Sequence, residues 1–214
     1  MKFKKFILCL MACILGLSIL LPVRTFADNN NLNINAESAI LIDNDTGKVL
    51  YEKSANEKRE PASTTKIMTA LLTLENCDLN DIATVTSEAI TSVPSGYSTD
   101  LLKMGEELTI KDLLYALLLP SSNEAANVLA IHIAGSIDSF ASMMNTRAIE
   151  LGCKNTHFVN PNGVHDDNHY TTAYDLSVIA REAMKNDIFR QIVSTASYLS
   201  LIHISEPTRL QLIS

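Results

Sequence analysis

Apolar residues change their spacing once along this chain, and that change limits what it can fold into. In "SAILIDNDTGKVLYEKS", residues 38–54, two short runs with β character flank a polar turn containing Asp45-Thr46-Gly47, the pattern of a β-hairpin. From Ser63 onward the period becomes helical: Ile67, Ala70, Leu71 and Leu74 recur at i, i+3, i+4 and i+7, the stripe of an amphipathic helix. Pro61 and Ser63 mark its start. Further helical patterns run through "TIKDLLYALLL", "NEAANVLAIHIAG", "SIDSFASMMNTRAIELG" and "TAYDLSVIAREAMKN". One hairpin followed by a mostly helical body is therefore expected. At 214 residues, with no internal repeat or low-complexity linker, one domain or a little more is implied.

The first 27 residues stand apart. "MKFKK" supplies a positive start, "FILCLMACILGLSILL" a long apolar run, and Thr25-Phe26-Ala27 small residues at the positions a signal peptidase reads. This predicts a secretory signal peptide over residues 1–27, the alternative being an uncleaved anchor, which the length of the apolar run permits. Residues 28–35 form a polar leader, and no later stretch is apolar enough to span a bilayer. Without the signal, 13 Lys and Arg face 24 Asp and Glu, a formal charge of −11. That balance argues against nucleic acid as a partner. Of four cysteines, Cys9 and Cys13 leave with the signal, while Cys77 and Cys153 have neither CxxC spacing nor a matching His cluster. They read as two buried thiols.

Chemistry enters with "EPASTTKIMTALLTLE", residues 60–75, where Ser63 and Lys66 stand three apart at a helix start. Residues at that spacing share a face, so the Lys66 amine can meet the Ser63 hydroxyl. Serine alone is a weak nucleophile, and a lysine serves as its base when burial leaves the amine neutral. Ser-x-x-Lys by itself also arises by chance. A second element, "LLLPSSNEAANVLA", sets Ser121-x-Asn123 in a polar break between apolar runs, where a hydroxyl and an amide can face the same cleft. Ser121 also reads as a helix N-cap, with Glu124 completing a capping box. Ser54-Ala55-Asn56 repeats the Ser-x-Asn pattern after the hairpin and reads as surface loop.

Together these stretches, with "MGEELTIKDLL" and "THFVNPNGVHDDNHYTTAYDLSVIAREAM", resemble the serine D-alanyl-D-alanine carboxypeptidases, the low-molecular-weight penicillin-binding proteins. The resemblance covers roughly residues 36 to 198. It implies an α/β fold of the penicillin-binding protein/serine β-lactamase type, of which this chain holds the hairpin and the helical region. It implies that Ser63 attacks the D-Ala-D-Ala amide of a peptidoglycan stem peptide and forms an acyl-enzyme that water hydrolyses. Lys66 would be the base, Ser121 would pass a proton to the leaving amine, and Asn123 would orient Lys66 and bind substrate amide. One oxyanion donor would be the Ser63 N–H. No metal or organic cofactor is implied. β-Lactams would be covalent inhibitors, the site of action would be the outer side of a bacterial envelope, and members that end in an amphipathic helix meet the membrane surface.

The sequence departs from the family in lacking Lys-Thr-Gly or His-Thr-Gly, its only Thr-Gly being Thr46-Gly47. In the family that motif edges the site and supplies a second oxyanion donor, whose loss costs about 10²- to 10³-fold in rate. "LSLIHISEPTR", Leu199 to Arg209, matches the translation of a transposase adapter used in sequencing libraries residue by residue. Residues 199–214 are therefore expected to be non-biological, the reading frame cut short, and the chain in this form inactive. Two other readings remain open. A serine β-lactamase would need a glutamate-held water, which Glu124 directly after Ser-x-Asn does not provide. A non-catalytic penicillin-binding module would lack Lys-Thr-Gly in the complete gene.

Other motifs carry weaker chemistry. Asp45-Thr46-Gly47 matches the aspartic-protease tripeptide but occurs once and suits a turn. His165 and His169 in "HDDNH" have metal-ligand spacing on a helix, yet the segment reads as loop, so no metal is expected. His132 sits in an apolar helical run and reads as a packing residue, while His157 and His203 have no nameable partner.

Overall fold

A computed structural model describes residues 34–97 and 102–199. The signal peptide, most of the polar leader and all but the first residue of the adapter-like tail, His203 included, lie outside the described residues. Every element that follows belongs to one compact unit that begins at Ala36.

Strands β1 (Ala39–Ile42) and β2 (Val49–Lys53) pair antiparallel, Ala39 opposite Lys53 and Leu41 opposite Tyr51, with a register shift before Ile42 meets Val49. The turn is built on Asp43. Its carboxylate accepts the Thr46 N–H at 2.7 Å and its carbonyl the Gly47 N–H at 2.9 Å. Hydrogen bonds from the Thr46 hydroxyl and N–H hold the Asp43 carboxyl below its ordinary value. Gly47 takes φ +73°, and a Cβ there would press on the Arg181 guanidinium, which reaches across to donate to Asn44 O at 3.0 Å. Asp45-Thr46-Gly47 is thus turn chemistry. Among the described residues this sheet has two strands. Leu41 and Leu50 remain 53% and 55% exposed, so the ribbon depends on its packing beneath.

Helices follow in order: a 3-10 turn (Ala62–Thr65), α1 (Lys66–Asn76), α2 (Ser87–Thr91), α3 (Ile110–Leu118), α4 (Asn123–Ala134), α5 (Ile137–Glu150), α6 (Ala173–Ala183) and α7 (Asp187–Val193). A short antiparallel pair, β3 (Ile82–Thr84) and β4 (Glu107–Thr109), lies between α1 and α3. Thr86, Thr109, Ser122, Ser136, Thr172 and Asn186 cap the helices they precede by accepting a first-turn N–H, each cap contributing about 1 kcal/mol. The cap of α4 is Ser122, whose Oγ accepts Ala125 N–H at 3.1 Å. That corrects the expectation that Ser121 caps it.

The expected amphipathic stripe on α1 is also corrected. Met68, Thr69, Ala70, Leu71, Leu72 and Thr73 are all buried, so α1 is enclosed on nearly every side, its threonines included. It packs against α3, α4 and α6, in a core that includes Leu113, Leu117, Leu129, Phe140, Met144 and Ile179. Each such side chain contributes about 1.5–3 kcal/mol by leaving water. This rigid centre carries Lys66 at its first residue. No helix among the described residues is long and apolar enough to cross a membrane.

Candidate active site

Ser63 lies in the 3-10 turn rather than in the α-helix expected for it, and Lys66 is the first α-helical residue. The difference brings the two closer, because side chains three apart eclipse in a 3-10 turn. Lys66 Nζ sits 3.2 Å from Ser63 Oγ. Ser63 is exposed to solvent, whereas Lys66 is 2% exposed. The nucleophile candidate is thus open to a substrate while its neighbouring amine is withdrawn from water.

Two further oxygens reach the amine. Asn123 Oδ1, from the first turn of α4, accepts from Lys66 Nζ at 2.8 Å, and the backbone carbonyl of Asn162 accepts from it at 2.8 Å. Ser121 lines the same cleft of about 420 Å³ as Ser63 and Lys66, walled by Ile67, Leu117 and Phe189. Its φ of +65° is a left-handed conformation, as is the +46° of Ala62 beside Ser63. For non-glycine residues such conformations cost about 1 kcal/mol or more each and concentrate at functional sites. By leaving the cap to Ser122, this kink releases the Ser121 hydroxyl from holding the helix. Lys66 is therefore joined directly to Ser63 and to Asn123, and Ser121 shares the cleft of Ser63 and Lys66.

Asn162 was not anticipated. It belongs to the loop Asn160-Pro161-Asn162-Gly163, where Asn160 Oδ1 accepts Gly163 N–H at 2.7 Å and Asn162 Oδ1 accepts Val164 N–H at 2.8 Å. Gly163 has φ +87°, and a Cβ on it would collide with the Ala62 carbonyl. The loop therefore lies directly against the backbone that carries Ser63. The sequence signal was present in the Asn-Pro-Asn-Gly string, which has the composition of a specific turn.

The histidines part company. His169 is buried, its Nε2 2.8 Å from Thr65 Oγ1. Val159 N–H donates to His169 Nδ1 at 3.1 Å, so the neutral ring carries its proton on Nε2 and donates to Thr65. His165 is exposed beside Glu60 and Asp167. His157 meets Asn168 O at 2.7 Å. His132 is exposed in the last turn of α4, correcting its expected packing role. Cys77 and Cys153 are free thiols; Cys153 is buried and burial pushes it up to about 12. Cys77 is only half-buried, and burial raises it too.

Burial lowers His169 from 6.5 to about 4, against the opposing pull of Asp166. Between those values the unfolded chain binds the extra proton and the folded one does not. Stability from this residue is therefore complete above pH 6.5 and is lost as pH falls to about 4, a span of about 3 kcal/mol. Denaturant titrations of the complete gene product at pH 7 and 4.5 should show this loss, and His169→Asn should flatten it. Equal pH slopes in the two proteins would contradict it.

An α/β molecule with a buried lysine against an exposed serine at the head of its central helix falls among the penicillin-binding DD-peptidases. The Streptomyces K15 DD-transpeptidase superposes with a TM-score of 0.73 at 37% identity, over 78% of this chain and 67% of that one. Penicillin binding protein 6B from Escherichia coli superposes with a TM-score of 0.73 at 32% identity, over 78% and 56%. The family model for D-alanyl-D-alanine carboxypeptidase matches residues 24–205, and the chain belongs to that family. The D-alanyl-D-alanine carboxypeptidase DacF of Bacillus subtilis (strain 168) is 43% identical over 164 residues, which make up 75% of this chain and 42% of DacF. The D-alanyl-D-alanine carboxypeptidase of Streptomyces sp. (strain K15) is 40% identical over 174 residues, 77% of this chain and 60% of that protein. The chain thus spans about half the length of these curated relatives.

Proposed function

We propose that this chain carries the acylating centre of a serine D-Ala-D-Ala carboxypeptidase that trims peptidoglycan stem peptides. The carrying observation is the buried Lys66 amine 3.2 Å from the exposed Ser63 hydroxyl. A neutral Lys66 takes the Ser63 proton as Oγ attacks the carbonyl between the two D-alanines. The tetrahedral adduct collapses and the C–N bond breaks as the proton that Lys66 took passes through the Ser121 hydroxyl to the departing D-alanine amine, which leaves Lys66 neutral and Ser121 protonated again. Water then hydrolyses the Ser63 ester and regenerates the hydroxyl. Asn123 holds Lys66 and meets the substrate amide. Residues 36–198 form a partial catalytic domain that holds the acylating residues, uses no cofactor or metal, and acts on the outer face of a bacterial envelope, reached through a signal peptide at residues 1–27. A β-lactam presents a strained cyclic version of the same amide and leaves Ser63 acylated.

The complete gene product should release D-alanine from a peptide ending in D-Ala-D-Ala and stop doing so after treatment with penicillin. Release that continues unchanged in penicillin-saturated protein would contradict the proposal.

A further inference from the structure

The Lys66 amine faces two acceptors that have no proton to give. Asn123 Oδ1 and the Asn162 carbonyl, each 2.8 Å away, can only accept, so a neutral amine must spend both of its N–H bonds on them. With both N–H bonds so used, the lone pair is available to the Ser63 hydroxyl, whose Oγ lies 3.2 Å from the same nitrogen. Asn123 is a side chain on a helix and is fixed by α4. The Asn162 carbonyl sits on a loop 96 residues away in sequence, and something must hold it.

Two buried side chains do. Thr69 Oγ1, one turn along α1 from Lys66, donates to Pro161 O at 2.6 Å, fixing the peptide just before Asn162. Asn162 Nδ2 donates to Asn127 Oδ1 at 3.0 Å, and Asn127 Nδ2 donates in turn to Ala89 O at 2.9 Å. Thr69 and Asn127 are 0% exposed and Asn162 is 3% exposed, so these hydrogen bonds are made away from bulk water. We infer that Thr69 and Asn127 are positioning residues, which hold the Asn162 carbonyl so that the Lys66 lone pair points at Ser63. They touch neither substrate nor nucleophile. The inference rests on Lys66 being the base, and it adds a specific claim: loosening the loop slows proton removal and leaves reversible binding unaltered.

The test uses the complete gene product and a fluorescent penicillin, with reversible affinity and the acylation rate constant separated by concentration-dependent stopped-flow labelling. Thr69→Val keeps the shape and removes the donor. It should lower the acylation rate constant roughly 10- to 10²-fold, since a misplacement of about 1 Å can cost about 10²-fold, with the reversible affinity unchanged. Thr69→Ser restores the hydroxyl and should restore the rate. Asn127→Leu loosens the same loop from its other side and should give the same split, which keeps the claim testable if Thr69→Val does not fold. A wild-type rate in either folded loop variant would overturn the inference, as would a Thr69→Ser protein as slow as Thr69→Val. Lys66→Ala, measured beside them, separates the two levels: a wild-type rate there removes the base assignment itself, whereas its loss together with normal Thr69→Val labelling removes only the loop's role.

Discussion

Replacing Lys66 by alanine in the complete gene product is expected to slow β-lactam acylation about 10²- to 10⁴-fold, the usual contribution of a positioned base. Lys66 is buried and meets Ser63 Oγ, Asn123 Oδ1 and Asn162 O. Removing it leaves two buried carbonyl oxygens without that donor, at about 1–3 kcal/mol for each group left unsatisfied. A melting curve must therefore accompany the rate. Lys66→Arg keeps the charge and restores some hydrogen bonding, yet it should not restore acylation. A guanidinium stays protonated near neutral pH and offers no lone pair to take the Ser63 proton. A Lys66→Arg protein acylating at near-normal rate would mean that another group removes the proton.

The parts of the fold legible in the sequence are those whose physics is local. The β1–β2 hairpin follows from two short runs with β character on either side of an Asn-Asp-Thr-Gly turn, and α3, α4, α5 and α6 from apolar periods bounded by Ser, Thr and Gly. Strands β3 and β4 were not foreseen, because three residues each are too few to display a period. The burial of α1 was underestimated for a related reason. Thr65, Thr69 and Thr73 look polar in sequence, but their hydroxyls bond His169, Pro161 O and Thr69 O respectively, which lets them sit in the core.

The candidate site divides in the same way. Ser63, Lys66, Ser121 and Asn123 announce themselves by side chain and spacing. The Asn162 acceptor is a backbone atom, which any residue could provide, and only the left-handed Gly163 pressed against Ala62 hints at why that loop is there. Ser121 and Ser122 both suit an N-cap, and it takes the +65° φ of Ser121 to assign the cap to Ser122. His165 and His169 share a helical metal-ligand spacing on paper, but the chain between them is loop, so one is buried against Thr65 and the other faces solvent. Pattern alone does not distinguish those environments.

The second large effect concerns the nucleophile. Ser63→Ala removes the hydroxyl that Lys66 meets at 3.2 Å, and the two other acceptors described here, Asn123 Oδ1 and Asn162 O, belong to amides and cannot carry the acyl group. Acylation should therefore fall below detection while the fold stands, because Ser63 is exposed and its side chain fills no core space. The direct measurement is peptide mapping by mass spectrometry of the penicillin-treated complete gene product, wild type beside Ser63→Ala. The wild-type protein should carry the penicilloyl mass on the peptide containing Ser63, and Ser63→Ala should carry none. An adduct on any other residue of the wild type, or an undiminished adduct in Ser63→Ala, would contradict the assignment of Ser63 and Lys66 as the acylating pair.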